Sequence, residues 1–215
     1  MRGIIDFILH VDVHLLDAVQ TYHTGVYGLL FAIIFAETGL VVAPFLPGDS
    51  LLFAVGALAA TGALSLPGAF VLLVAAAFLG NAVNYAIGRR IGPRVFQASG
   101  NDTMFGKLLN RKYLDQAHAF FETHGGRAVV LSRFVPIVRT FLPFVAGAAK
   151  MSPRAFLFYN LVGAVGWVTV CVGAGVIFGN VPIVKDNFSL VALGIVFVSI
   201  LPMAYEIIKV RRARS

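Results

Sequence analysis

Charge is scarce in this 215-residue chain. Asp, Glu, Lys and Arg make up 13% of it, about half the share found in a soluble domain, while 59% is hydrophobic. A domain of this size still leaves roughly 30% of its unfolded surface in water, and there is too little polar surface here to cover it. The mean hydropathy of +0.86 excludes a soluble globular enzyme and a disordered tail alike. Cysteine is nearly absent. Cys171 alone forbids an intramolecular disulfide framework and any multi-cysteine metal site; set in an apolar run, it reads as a small packing residue. No Walker motif is present, so no ATP-driven pump is encoded. Acids are outnumbered by bases, 10 to 17, giving a net charge of +7. The bases cluster beside apolar spans, where they orient a membrane protein and meet anionic headgroups, so nucleic acid is not an expected partner.

What is present is a series of apolar segments with punctuation, expected to form one membrane domain. Residues 1–25 are an interfacial segment. Asp6, His10, His14 and Asp17 form a polar stripe at helical spacing, which reads as the wet face of a surface helix rather than a metal site. Residues 26–88 make a first unit. An apolar run to residue 43 carries Glu37 and Gly39, then Pro44, Pro47, Gly48 and Asp49 interrupt it before a second apolar stretch, 51–64. Each piece is short for a crossing, which takes about 20 residues. The pair therefore reads as a re-entrant hairpin, followed by a full span over 69–88 that Gly88-Arg89-Arg90 ends. Residues 89–127 carry seven bases against three acids. Tyr113, Leu114, Ala117, Phe120 and Phe121 share a face there, which predicts a basic amphipathic helix lying on the membrane and stopped at Gly125-Gly126.

Residues 128–178 form the second unit. It opens with a broken segment containing Arg133, Pro136, Arg139, Pro143 and Gly147, and continues into a full span over 155–178. Residues 179–215 supply a third span, 188–205, and a basic tail. The positive-inside rule places both the 89–127 loop and the tail in the cytoplasm. The two units repeat one another: Pro67-Gly-Ala69-Phe70 matches Pro153-Arg-Ala155-Phe156, the same offset carries Gly80 onto Gly166, and Ala54-Val-Gly56-Ala57 resembles Val145-Ala-Gly147-Ala148. With one crossing between them the units are inverted, which is a transporter architecture with its site where the broken segments meet.

Glu37, Asp49, Arg133 and Arg139 are the charges in or beside the broken segments. Each costs roughly 2.5–3.5 kcal/mol at mid-membrane when alone, so the acids of one unit are expected to face the bases of the other in a polar cavity. A guanidinium fork suits phosphate oxygens and stays charged at working pH. A helix N-terminus after Pro47-Gly48 or after Pro143 could add backbone donors. An enzyme is not expected. Ser132-Arg133 resembles the start of a type 2 phosphatidic acid phosphatase block, but the nucleophilic histidine would fall at Arg139, and His118 and His124 read as interfacial. Neither a metal nor a cofactor is implied.

Glu37-Thr-Gly39, Pro44-x-x-Pro47-Gly48-Asp49 and Gly56-Ala-Leu resemble the first signature of the DedA (VTT-domain) family. Ser132-Arg133-Phe134-x-Pro136-x-x-Arg139-Thr140-x-x-Pro143-x-x-Ala146-Gly147 resembles the second, and the likeness covers about residues 25–205. Asp49 stands where many members carry Glu. The resemblance implies an all-α polytopic fold with two opposed re-entrant hairpins, in the bacterial plasma membrane. It implies lipid translocation, with undecaprenyl phosphate or a phospholipid as substrate. Arg133 and Arg139 would then bind phosphate, and Glu37 and Asp49 would carry protons. Gly39, Pro44, Pro47, Gly48, Pro136, Pro143 and Gly147 would shape the hairpins. A proton-coupled ion or small-solute transporter using the same cavity, and a non-transporting scaffold, are the alternatives.

Overall fold

The computed structural model describes residues 25–39, 48–97, 111–179 and 181. The polar stripe of residues 6–17, Pro44, Pro47, the 188–205 span and the basic tail lie outside them. Seven α-helices occur among the described residues, and no strand: α1 (Gly25–Gly39), α2 (Gly48–Ala60), α3 (Leu66–Gln97), α4 (Arg111–His124), α5 (Ala128–Leu131), α6 (Pro136–Ala148) and α7 (Pro153–Phe178). Two 3-10 turns, Gly125–Arg127 and Ser132–Phe134, flank α5.

Among the described residues, two helices are long and apolar enough to cross a membrane. Leu66–Gly92 of α3 has 27 such residues and Pro153–Phe178 of α7 has 26. At 1.5 Å per residue each is about 40 Å long, against roughly 30 Å of hydrocarbon. Both present large apolar side chains outward, among them Val71, Leu79, Val83, Phe158, Leu161, Val170 and Ile177. In water that would be costly; in lipid it is the ordinary condition. By contrast α1, α2 and α6 have 15, 13 and 13 residues, roughly 20 Å each, too short to cross alone. The helix does not stop where the apolar span is expected to end, at Gly88-Arg89-Arg90: α3 continues to Gln97. Arginine is a good helix former, and a long charged side chain can rise to the interface without ending the helix.

By their contacts the described residues fall into two compact units, one of 25–31, 48–73 and 168–179, the other of 32–39, 74–97 and 111–167. In the first, Leu51, Leu52, Val55 and Leu73 are buried, and Gly56 and Gly175 face each other between α2 and α7. A Cβ on Gly56 would meet the Val172 carbonyl oxygen, and one on Gly175 the Phe53 carbonyl oxygen. Tyr27 accepts a hydrogen bond at its hydroxyl from the Ser65 N–H, 2.9 Å away. In the second unit Tyr85, Ala117, Val129, Phe141, Leu142, Phe144 and Phe156 form one core, with Tyr85 stacked on Phe156 at 4.1 Å between centroids. The Tyr85 hydroxyl donates to the Met151 carbonyl, and Arg89 donates to Tyr85 at 2.8 Å.

The amphipathic helix expected on the membrane surface exists as α4, but its apolar face is used differently. Ala117 is fully buried, and Phe120 and Phe121 pack on the second unit's core. That face meets protein, because α6 packs on α4 and its Phe141 and Val145 belong to the same core. The helix stops at His124, whose ring stacks on Phe120 at 4.3 Å and whose Nδ1 bonds to the Phe120 carbonyl.

The repeat reappears in local geometry. After α2, Ala63 N–H donates to Leu58 O (3.1 Å) and Gly62 N–H to Ala59 O (3.1 Å), with Gly62 at φ +82°. After α6, Met151 N–H donates to Ala146 O (3.0 Å) and Lys150 N–H to Gly147 O (3.0 Å), with Lys150 at φ +58°. Both are Schellman endings. Each is followed by a serine N-cap opening a long helix: Ser65 Oγ accepts from Gly68 N–H, and Ser152 Oγ from Ala155 N–H, both at 3.4 Å. The matched Pro-x-Ala-Phe motifs are thus the first turns of α3 and α7. Lys150 is the strained member of the pair, since a side chain at left-handed φ costs roughly 1–2 kcal/mol. Lys150→Gly is therefore expected to stabilise the chain by about 0.5–1 kcal/mol once the greater freedom of unfolded glycine is deducted. A thermal melt in detergent reads this directly, and a lower midpoint would refute the strain.

Candidate functional site

The break in the second unit falls at Val135, not at both prolines. Val135 is extended (φ −115°, ψ 102°) between the Ser132–Phe134 turn and α6. Pro136 accounts for this: it disfavours helix at the preceding residue and suits the first position of the next one. Pro143 lies inside α6, so the helix N-terminus expected after it is corrected to Pro136. The Val135 carbonyl accepts from the Arg139 N–H at 2.9 Å, which makes Arg139 part of the first turn of α6. Arg133, in the 3-10 turn, is carried on the other side of the break.

This kink directs both arginines to one cavity, lined by Glu37, Thr38, Asn81, Arg133, Arg139, Thr140 and Trp167. Its free volume is about 10 Å³, room for about one water molecule. Arg139 is paired through Nη2 with Glu37 Oε1. Its side chain is 17% exposed, whereas Arg133 is only 4% exposed. The two guanidinium carbons lie 5.7 Å (Arg133) and 5.5 Å (Arg139) from the centroid of the Trp167 ring, within cation–π range.

Arg133 is held by neutral groups. Its Nη2 donates to Asn160 Oδ1 at 2.8 Å and to the Ala77 carbonyl at 3.3 Å. The Asn81 amide has two orientations: in one its Nδ2 donates to Asn160 Oδ1 at 3.1 Å, and in the other its oxygen accepts from the same Nη2 at 3.0 Å while its nitrogen donates to the Thr38 carbonyl at 3.2 Å. Arg133 Nε is buried with no hydrogen-bond partner. Asn160 is fully buried and donates through Nδ2 to the Phe78 carbonyl at 3.0 Å. Asn84, also fully buried, donates to the Thr140 carbonyl at 2.9 Å and, at 3.5 Å, to the Thr38 carbonyl. One amide thus ties the residue after Glu37 to the residue after Arg139.

Close helix approach makes these distances reachable. Gly39 and Gly80 abut where α1 meets α3: a Cβ on Gly39 would lie 3.3 Å from Gly80 Cα, and one on Gly80 would be 2.9 Å from the Phe35 carbonyl oxygen. Gly147 abuts α3 in the same manner, since its Cβ would lie 2.7 Å from the Arg89 nitrogen. Both serve helix packing, where small residues let backbones approach.

Of the four expected charges, Glu37, Arg133 and Arg139 therefore line one cavity. Asp49 belongs to the other unit, half-buried in the first turn of α2, which begins at Gly48. The sequence reading passed over Thr38, Asn81, Asn84, Thr140, Asn160 and Trp167. Their signal was present: Asn81, Asn84 and Asn160 are amides inside apolar spans, and polar side chains at that depth usually have a reason. No group of His, Cys, Asp and Glu suited to a metal occurs among the described residues.

Comparison with known proteins agrees with this architecture. The VTT domain family model matches residues 46–177. Protein DedA of Escherichia coli strain K12 is 52% identical over 214 residues, covering 99% of this chain and 95% of that protein. Inner membrane protein YghB of the same strain is 36% identical, covering 93% and 84%. Inner membrane protein YqjA is 39% identical, covering 73% and 69%. No solved structure matches. With the family model spanning more than half the chain, and a relative this similar along nearly its whole length, the chain is a membrane protein of the DedA (VTT-domain) family.

Proposed function

We propose that the chain is a transporter rather than an enzyme, a flippase that returns a lipid phosphate across the bacterial plasma membrane, with undecaprenyl phosphate as its substrate. The observation that carries this reading is the pair of guanidinium groups over one indole ring, the buried Arg133 and the part-buried Arg139 on Trp167. A permanently charged, planar donor pair is what a phosphate monoester needs. The ring gives the pair an apolar backing that strengthens its electrostatics.

The cavity, at about 10 Å³, is too small for a phosphate as it stands. Binding therefore has to part Glu37 from Arg139, the more exposed arginine. Glu37 then neutralises Arg139 in the empty protein, and a proton on Glu37 releases it. Asp49 is assigned the second proton-carrying role. The broken segment around Val135 and the short helices α1, α2 and α6 suit opposed re-entrant hairpins, because non-helical backbone at membrane depth is tolerated where it lines a cavity. The isoprenoid chain stays in the lipid. Two relatives are named as inner membrane proteins, which supports the choice of membrane; the basic tail and the 89–127 segment are assigned to its cytoplasmic side by their charge.

The test is leaflet exchange of undecaprenyl phosphate in proteoliposomes, with Arg139→Lys beside the wild type. Lysine keeps the charge and loses the fork, so exchange should fall about tenfold or more while the melting temperature changes little. Full activity in the lysine chain would leave net charge as the only requirement. A wild type that exchanges no lipid phosphate would end the proposal.

A further inference from the structure

Arg133 is enclosed at 4% exposure, yet its contacts at Nη2 are uncharged oxygens, Asn160 Oδ1 and the Ala77 carbonyl, joined by Asn81 Oδ1 when that amide is turned over. Glu37, the acid that attracts Arg133 across the cavity, is hydrogen-bonded to Arg139 instead. Buried arginines are ordinarily paired with an acid, because an isolated buried charge is costly. Asparagine has nearly the shape of aspartate, so a carboxylate at position 81 or 160 would occupy the same space and complete a salt bridge.

We propose that Asn81 and Asn160 are positioning residues that fix the Arg133 guanidinium through neutral oxygens, so that its full charge remains available to a phosphate monoester. The inference rests on the proposed phosphate-binding role of this cavity and says how that role is kept. Arg139 is the exchangeable partner, released when Glu37 lets go. Arg133 is the standing charge. Two features of its surroundings suit that division. The amides are anchored to α3 backbone or to the residue after Glu37: Asn160 Nδ2 donates to the Phe78 carbonyl at 3.0 Å, and Asn81 Nδ2 to the Thr38 carbonyl at 3.2 Å. The guanidinium therefore cannot swing away without breaking bonds on two helices. Meanwhile its Nε is a buried donor with no partner. Such a donor costs stability unless a water or an anion oxygen reaches it; Gly163 is its near neighbour on α7.

Asn160→Asp is the decisive substitution. It preserves the acceptor facing Arg133 and adds the missing counter-charge. It gives up the donor to Phe78, a carbonyl that the α3 helix already engages. Asn81→Asp makes the same change from the other amide. The probe is dodecyl phosphate, a lipid phosphate monoester, added to the full chain in nanodiscs, with dodecanol as the uncharged control. Trp167 is the only tryptophan in the chain, so with a tryptophan-free scaffold protein its emission reports the cavity alone.

The wild type should bind dodecyl phosphate and ignore dodecanol. Asn160→Asp and Asn81→Asp should bind it at least tenfold more weakly, since a carboxylate competes for the same charged donor. Their melting temperatures should equal or exceed the wild type's. A merely structural amide would not separate affinity from stability in this way. If the wild type binds and both aspartate chains bind as tightly, the positioning role is wrong while phosphate binding stands. If both aspartate chains unfold, the role is also wrong, because a counter-charge beside Arg133 should strengthen the fold. If the folded wild type does not bind dodecyl phosphate at all, the phosphate-binding reading itself fails.

Discussion

Gly88→Val is expected to prevent the second unit from folding, lowering stability by more than about 3 kcal/mol. A Cβ on Gly88 would meet backbone atoms of Phe144, with the Phe144 carbonyl carbon and Cα both 2.7 Å away. Overpacking usually costs roughly 1–3 kcal/mol because side chains can yield. Here the obstacle is a helix backbone. α6 cannot retreat, because Gly92 and Gly147 press it against α3 on either side of the same contact. A Cβ on Gly92 would be 2.9 Å from Ala148 Cα, and one on Gly147 would be 2.7 Å from the Arg89 nitrogen. The crossing also fixes Phe141, Leu142 and Phe144 in the core, and with them the first turn of α6 that carries Arg139.

Gly166→Ala is the matched control. A Cβ there meets nothing within 4 Å, and replacing a mid-helix glycine by alanine should gain about 0.5–1 kcal/mol. Fluorescence-detected gel filtration after a temperature series compares the two in detergent. A Gly88→Val chain that melts with the wild type would mean that α3 and α6 do not approach this closely.

That contrast also marks a limit of sequence reading. The repeat aligns Gly80 with Gly166, yet Gly80 sits against Thr38, Phe35 and Gly39 while Gly166 has open space beside it. A glycine looks the same in sequence whether or not a helix crosses it. What the repeat did carry was local chemistry. Pro-x-Ala-Phe after a serine marks a helix start in both copies, and the residue pairs 58/63 and 146/151 close both preceding helices. Local hydrogen bonding depends on neighbours in the chain, so it is legible there.

Charge was legible for a similar reason. An ion in an apolar run is conspicuous, and Glu37, Arg133 and Arg139 do line one cavity. The amides that hold Arg133, Asn81 and Asn160, are harder to read, because asparagine carries no charge and each sits inside an otherwise apolar span. Whether an asparagine faces lipid or a guanidinium depends on rotation about the helix axis. That rotation is set by Gly80 and Gly88 packing against α1 and α6, contacts between segments some 40 to 60 residues apart in sequence. The apolar face of α4 is ambiguous for the same reason: Ala117 and Phe121 suit a bilayer and a protein core equally, and the position of α6 buries Ala117.

Glu37→Gln is expected to abolish the dependence of lipid exchange on an imposed pH gradient while leaving phosphate binding largely intact. Lipid phosphate returning to the cytoplasmic leaflet carries an anion toward the negative side of the membrane. That motion is opposed by roughly 2.3 kcal/mol per charge per 100 mV, about a fiftyfold bias at equilibrium. A proton travelling with the lipid cancels one charge and couples the motion to the inward proton gradient. Glu37 is placed for this exchange because its carboxylate is the ion-pair partner of Arg139. When Arg139 turns to phosphate, protonating Glu37 spares the cavity an additional buried anion. Glutamine has the same shape and can still bond to its surroundings, but it neither holds Arg139 as an ion nor takes up a proton. Exchange in proteoliposomes, with and without a protonophore, distinguishes the two chains. The wild type should slow when the gradient collapses, and the glutamine chain should run at one slow rate in both conditions. A wild type that is indifferent to the protonophore would remove the proton from the mechanism and leave Glu37 as a latch on Arg139 in a passive scramblase.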